Sequence, residues 1–551
     1  MEPDYRICRA LANRRSLRGM TGPCQPTHSD DILNLELEIF RNLFVSIAEE
    51  MGIVLRRTSF SPNIKERRDY SCAVYDQHAE TIAMGDHMPA HLGAMPYSVT
   101  EALKAHSLEP GDLVLLNDPF RGGTHLPDIT SVSAVFVEEQ PRPSYYLATR
   151  AHHSDVGGMM PGSMPLATEI FQEGLRIPPV KLIRNGEMNQ DILELILANV
   201  RTPEERRGDL GAQIAAHRVG ERRLRDAANK YGAEKILRQM DELKSYSESM
   251  MRARIGEIPD GEYEFEDFLD DDGFSAGPIR IHCKLTVRYE EATVDYSGSD
   301  PQVRGGVNAN LPVTTAATMF CFRCLIQDDI PYNAGMMRPV QIVTRPGSVV
   351  DARMPASVAG GNVETSQRIV DVLLGALERA LPGQIPAASS GTMNNLTLGG
   401  TDPRSGKPFA YYETIAGAMG ARPDADGVDA THTNMTNSLN TPVEALEHLL
   451  PLRVRRYAVR RGSGGEGTHR GGDGVIREFE LLADTDIAIL SERHERGPYG
   501  LEGGEPGKPG RNLLNSQPLP GKGHFRAKPG DTLTIETPGA GGYGAEASSR
   551  A

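Results

Sequence analysis

The chain has 551 residues, 39% hydrophobic and 24% charged, no Trp and a formal net charge of −15. That length calls for two to four domains with a large core, and the acidic balance speaks against a general nucleic-acid or anionic-membrane binder. No apolar run reaches the roughly 18 residues of a membrane span, and six scattered Cys are too few for a disulfide framework, which points to a reducing, cytoplasmic location.

In chain order, residues 1–29 carry five Arg between positions 6 and 18 and read as a disordered extension or a mis-assigned start. Ser29-Asp30-Asp31 is a helix start signal, and apolar residues at 33, 37, 40, 44, 47, 51 and 54 predict a core helix over 32–55. Residues 69–84 read as strand, turn, strand. His87 and His91 stand four apart, a ligand spacing on a helix face, but Pro89 between them favours pocket lining or a structural role. A helix over 94–107 and a strand over 111–118 follow.

Residues 117–158 are the stretch around which the chain is organised. Two histidine-bearing loops flank two β-like runs, Ser131 to Val137 and Ser144 to Thr149. The first loop offers His125 and Asp128, the second His152, His153 and Asp155. Adjacent strands would bring both loop ends to one sheet edge and gather imidazoles and a carboxylate around one point. Such a set can hold a divalent metal with positions left open, and it leaves five candidate ligands. Seven of the 15 His fall between His78 and His153, which favours a metal site in this half. Imidazole and oxygen ligands without thiolate suit Zn²⁺, Mn²⁺ or Fe²⁺.

Residues 157–181 read as loop, then 189–254 as helical with breaks near Thr202-Pro203 and Gly232. From Gly261 the pattern turns to strand alternation. Asp270–Asp272 reads as a solvated turn and Cys321-x-x-Cys324 as buried thiols in a small apolar helix. An amphipathic helix over 364–380 follows the small-residue loop ASVAGGN, which could receive an anion on free N–H groups or be a tight packing turn. GSGGEG at 462–467 matches GxGxxG, but loop and strand surround it rather than a glycine turn entering a helix. SGKPF at 405–409 has Pro408 where a phosphate-binding loop needs Ser or Thr, and no nucleophile elbow occurs.

FSPNIKERRDYSC (60–72), HMPAHLGAM (87–95), NDPFRGGTHLPDIT (117–130), RAHHSDVGG (150–158), EGLRIPPVKL (173–182), GGNVETSQRI (360–369), GSGGEGTHRGGDGVIRE (462–478) and TPGAGGYG (537–544) resemble the hydantoinase B/oxoprolinase family. The resemblance runs from about residue 30 to 545. It implies a division of labour: an A-type partner subunit binds ATP and phosphorylates the carbonyl oxygen of a cyclic amide, such as a hydantoin, 5-oxoproline or another lactam. This chain would carry a divalent metal, with Zn or Mn ahead of Fe, and complete ring opening.

By motif, the family's metal ligands fall on His125, Asp128 and His152. His153, Asp155 and Glu173 become the catalytic candidates, and His91, Asn117 and Asp118 candidates for the pocket wall. The resemblance also admits a ketone carboxylase subunit or a scaffold for the ATPase. The expected architecture is a multi-domain mixed α/β (α+β) protein: a metal-bearing α/β part over 30–255 and a β-rich part with inserted helices over 256–551. The Gly-rich loops at 462–474 and 539–544 are expected to pack on other loops or on a partner. The family commonly has four Gly where this chain has Gly539-Ala540-Gly541-Gly542, a departure that matters only if position 540 needs a positive φ.

Overall fold

The structure is a computed structural model describing residues 28–85, 87–137, 141–326 and 332–545. The expectation for residues 1–29 falls almost wholly outside this range. Among the described residues, four sheets and the helices between them form a mixed α/β fold.

The first sheet positions the site. Its strands are β1 (Tyr70–Tyr75), β2 (Thr81–Met84), β3 (Leu113–Leu116), β4 (Asp128–Val135), β5 (Tyr145–His152), β6 (Val180–Arg184) and β7 (Glu187–Met188), ordered β2-β1-β5-β4-β3-β6-β7. Every pairing is antiparallel. Both faces are covered, and the polar residues on its central strands are buried in hydrogen bonds to one another, Ser131 with Thr149 and Arg150 with Thr130. On one face Cys72, Val74 and Leu147 meet Phe44, Met51, Ala216 and Leu224 from helices α1 (His28–Thr58) and α2 (Pro203–Tyr231). On the other, Ala73, Tyr75, Val132 and Ala148 meet Val99 of the helix Met95–Ala105. The apolar spacing of α1 follows the predicted one at Phe40, Phe44, Ile47 and Met51, all buried, but its last core position is Leu55 where Val54 was expected. The expected helical region after residue 189 is three helices: Gln190–Ala198, α2 and α3 (Ala233–Gly256). Pro203 opens α2, and Gly232, at φ 86°, separates α2 from α3.

The second sheet, in the order β11-β10-β9-β8, comprises β8 (Gly261–Leu269), β9 (Ile279–Arg288), β10 (Glu291–Asp295) and β11 (Val340–Val343). Alternation along β9 sends Ile279, Ile281, Cys283, Leu285 and Val287 into a core shared with α4 (Leu311–Leu325) and α5 (Ser366–Ala380). Cys321 and Cys324 lie buried in α4 as thiols. The turn at Asp270–Asp272 departs from the expectation of solvation. Asp272 is buried, its Oδ1 accepting from the amides of Phe274, Ser275 and Ala276 and its Oδ2 from Gly305. The acidic run closes a turn with its own backbone.

The other sheets pack face to face around Leu396, Leu398, Phe479, Ile487, Leu533 and Ile535. One contains β12 (Asn395–Thr401), β13 (Pro408–Thr414), β16 (Thr485–Leu490) and β19 (Lys522–Ala527); the other contains β14 (Leu452–Val459), β15 (Val475–Leu481), β17 (Arg511–Leu514), β18 (Gln517–Leu519) and β20 (Thr532–Glu536). Glycine loops close this end. A Cβ at Gly465 would stand 2.0 Å from the Glu505 carbonyl, and one at Gly541 2.0 Å from that of Tyr499. GSGGEG is thus a packing loop, held through Asp473, whose carboxylate accepts from the amides of Gly462, Ser463 and Gly464. Ala540 is buried and is not among the positive-φ residues, so its methyl carries no strain.

Candidate metal centre

Antiparallel register builds the centre. Asp128 opens β4, His152 closes β5, and the two are directly paired. The strands begin and end about three residues nearer the loops than their apolar runs suggest, which brings both residues onto the sheet. The His152 amide donates to the carbonyl of Asp69, which precedes β1, at 3.0 Å. Asp69, His152 and Asp128 therefore line one edge. His125 comes from the preceding turn, its Nε2 3.3 Å from Asp128 Oδ2, and its ring meets that of His152 edge-on with centroids 5.0 Å apart.

His125, Asp128 and His152 each offer a ligand atom, all within 4.8 Å of one another, and all three residues are buried. This is an acceptable fit to an ion with ligand bonds of about 2.0–2.2 Å after a small contraction. Both His125 nitrogens, Asp128 Oδ1 and His152 Nε2 are buried without a hydrogen bond. Orphaned buried polar atoms cost about 1–3 kcal/mol each, so such a concentration marks a place where a cation fits. Burial opposes charge on Asp128, yet the His125 and His91 imidazoles hold its carboxyl well below the usual range. Burial, then His125, keeps His152 well below the usual imidazole value, so its ring is neutral and able to bind a metal.

Around this trio sit residues the sequence reading ranked low or missed. His91 places Nε2 3.3 Å from Asp128 Oδ1 and 3.9 Å from Asp69 Oδ1, while its Nδ1 lies 3.0 Å from Ser71 Oγ. It lies at the centre itself, in a short helix that begins at Pro89. His87 instead approaches Glu49 at 3.7 Å, so the two His do not share a site. Asp69 and Asn63 were missed. Asn63 Nδ2 lies 3.0 Å from His152 Nδ1 and donates to the His152 carbonyl at 2.7 Å, and its own carbonyl accepts from Arg67. The signal for Asp69 was its place just before a strand that pairs with the histidine-ended one.

The remaining candidates separate by what their polar atoms already do. Asp155 accepts from the Arg201 amide at 2.7 Å and from Arg201 Nη1 at 2.9 Å, a half-buried ion pair tying the loop to the start of α2. His153 Nε2 meets Gln213 Oε1 at 3.1 Å, and burial, then the Arg206 charge, lowers the ring to about 4. Asn117 spends both functions on backbone: Nδ2 on the Leu126 and Leu175 carbonyls, Oδ1 on the Ile177 amide. It clamps the His125 loop. Asp118 caps a turn through the Phe120 amide.

Glu173 is buried, and its Oε1 accepts from Ser357 Oγ and from the Val358 and Ala359 amides at 2.7 and 3.0 Å. The anion on the ASVAGGN loop is thus a carboxylate of the chain itself. Its Oε2 is buried without a partner, and burial raises its pKa despite these donors.

Fold and site together define a mixed α/β protein with a buried His/Asp/His centre on a sheet edge. The hydantoinase B/oxoprolinase profile matches residues 34–546, and the chain belongs to that family. It is 40% identical over 520 residues to an uncharacterized protein of Methanocaldococcus jannaschii, covering 93% of this chain and 90% of that one. It is 38% identical over 546 residues to 5-oxoprolinase 1 of Arabidopsis thaliana, covering 93% of this chain but only 42% of that protein. Among solved structures it is similar to the ATP-dependent caprolactamase of Pseudomonas jessenii, with a TM-score of 0.86 at 28% identity, covering 93% of this chain and 91% of the other.

Proposed function

We propose that this chain is the metal-carrying subunit of an ATP-dependent cyclic amidohydrolase that opens a hydantoin, 5-oxoproline or similar lactam. An A-type partner would bind the ATP and phosphorylate the ring carbonyl oxygen. The observation that carries the reading is the trio His125, Asp128 and His152, brought together by strand register with its ligand atoms unpartnered. The partner is supported by the length of the Arabidopsis 5-oxoprolinase, of which this chain spans 42%, and by the absence of a recognisable phosphate-binding loop in the sequence.

His125, Asp128 and His152 would hold a divalent ion, Zn or Mn, with Asp69 and His91 beside it. When bound, such an ion supplies Lewis acidity toward a carbonyl or phosphoryl oxygen. A lactam carbon is a poor electrophile because the amide is resonance-stabilised, and phosphorylation of its oxygen removes that protection. Glu173 is the proton acceptor we favour, because Oε2 is free, Oε1 is fixed by three donors, and the raised pKa moves it toward the range useful for a general base. It takes a proton from the water that adds to the activated carbon. The ring C–N bond breaks as its nitrogen gains a proton, leaving an acyl phosphate, and a second water hydrolyses that acyl phosphate to the carboxylate and free phosphate. His153 and Asp155, fixed by Gln213 and Arg201, hold the chain just after His152, the last residue of β5.

The chain purified with its partner is expected to open 5-oxoproline or a hydantoin only with ATP. Glu173→Gln is expected to lower turnover by about 10²–10⁴-fold, the range for a lost general base. ATP consumption that instead requires bicarbonate and a ketone would overturn the hydrolase reading.

A further inference from the structure

The faces of the His152 ring are not equivalent. One is covered by Tyr412, stacked at 4.4 Å between centroids and 9° between planes. Tyr412 lies on β13, on the opposite side of that strand from Tyr411, which packs into the core between the last two sheets. Its hydroxyl donates to Asn395 Oδ1 at 2.8 Å. Asn395 Nδ2 in turn lies 2.6 Å from Glu364 Oε1 and 2.7 Å from the Leu490 carbonyl.

Glu364 is wholly buried in the turn of π-helix Gly361–Thr365 that leads into α5. Its Oε1 also accepts from the Met393 amide at 3.1 Å, and its Oε2 has no hydrogen-bond partner. Burial, with the Glu492 charge nearby and against the Thr392 hydroxyl and the Lys522 charge, pushes its pKa up to about 8. A run of contacts therefore leads from a buried acid, through an amide and a phenol, to the face of a candidate metal ligand. The local irregularity that aims Glu364, a single π turn, is a kind that recurs at functional sites.

Resting on the metal-centre reading, we propose that Tyr412 is a positioning residue for His152 and that Glu364, acting through Asn395 and Tyr412, sets the affinity of the centre for its metal without touching it. A stacked phenol restricts rotation of the imidazole, and a phenol tethered at its hydroxyl cannot drift from the stack. Partners outside the ligand set commonly change metal affinity by about 10–100-fold.

The test is Zn²⁺ and, separately, Mn²⁺ binding to the purified full-length chain by chelator competition. Thermal unfolding of the metal-free proteins monitors folding. Tyr412→Leu, which removes the stack, is expected to weaken binding about tenfold or more, and Glu364→Leu severalfold. Glu364→Gln, which keeps an acceptor for Asn395 and the Met393 amide, is expected to bind like wild type. Tyr412→Phe, a milder change for the case where the leucine variants unfold, is expected to fall between wild type and Tyr412→Leu. Because both residues act along one route, the double leucine variant should bind no more weakly than Tyr412→Leu.

Wild-type affinity in Tyr412→Phe and Glu364→Leu, additive losses in the double variant, or a Glu364→Gln as weak as Glu364→Leu each overturn the proposal while leaving the metal centre standing. A wild-type chain that binds neither ion overturns the centre and the proposal with it.

Discussion

Gly361 lies in the loop that cradles Glu173, and a Cβ there would come within 1.9 Å of the Asn308 carbonyl oxygen. Backbone cannot yield as a side chain tip can, so Gly361→Ala should cost about 1–3 kcal/mol, the usual range for overpacking. Thermal unfolding checks this, and an unchanged Tm would show that the loop relaxes freely. At this scale the sequence was most legible where residue type alone restricts chemistry. The imidazoles and carboxylates of the two loops marked five candidate ligands, His125, Asp128, His152, His153 and Asp155, and the family resemblance narrowed them to His125, Asp128 and His152. Glu173, Asp155 and Asn117 could not be told apart that way. What separates them is which of their atoms the backbone and Arg201 already occupy, a matter of partners up to 186 residues away.

Among elements, the pairing of β4 with β5 does most to make the site, and α2 fixes that pair from above. His217 of α2 lies with Nδ1 2.6 Å from Ser133 Oγ and Nε2 2.9 Å from Ser131 Oγ, both on β4. Burial, against a hydrogen bond donated to the Ser131 backbone, lowers its pKa to about 3. The sign follows directly. The folded chain binds the proton less readily than the unfolded one, so the stability His217 contributes is complete above about pH 6.5 and is lost as pH falls toward 3. Metal-free chain carrying His217→Gln should therefore lose less Tm than wild type between pH 7 and 5, and parallel losses would contradict this. Helix and strand positions in this half were readable because α1 has a clean 3.6-residue pattern and β4 and β5 are short apolar runs. Their ends were not, since Asp128 and His152 are polar residues that belong to strands only because they face each other.

Across the whole molecule, a buried ion cluster joins elements remote in sequence. Arg493 Nη2 meets Asp267 of β8 at 2.6 Å and Asp371 of α5 at 2.7 Å, and Arg368 of α5 meets Asp267 at 2.9 Å. Glu492 beside them pairs with Lys522 of β19. Removing one partner strands buried carboxylates, so Arg493→Ala should cost about 3–5 kcal/mol, measurable by denaturant unfolding. A loss below about 1 kcal/mol would show that the cluster rearranges. No sequence pattern revealed these links or the joining of Tyr412 to His152, because both depend on how separate sheets meet. The proposed division of labour rests on one property of the whole fold, that register at a sheet edge gathers His125, Asp128 and His152 into a candidate metal site. The most direct test is metal content of the purified full-length chain after equilibration with Zn²⁺ or Mn²⁺ and removal of excess ion. One tightly held equivalent, lost in His125→Ala, Asp128→Ala and His152→Ala variants that remain folded, is the predicted result; metal retained by all three variants, or none bound by the wild type, would contradict it.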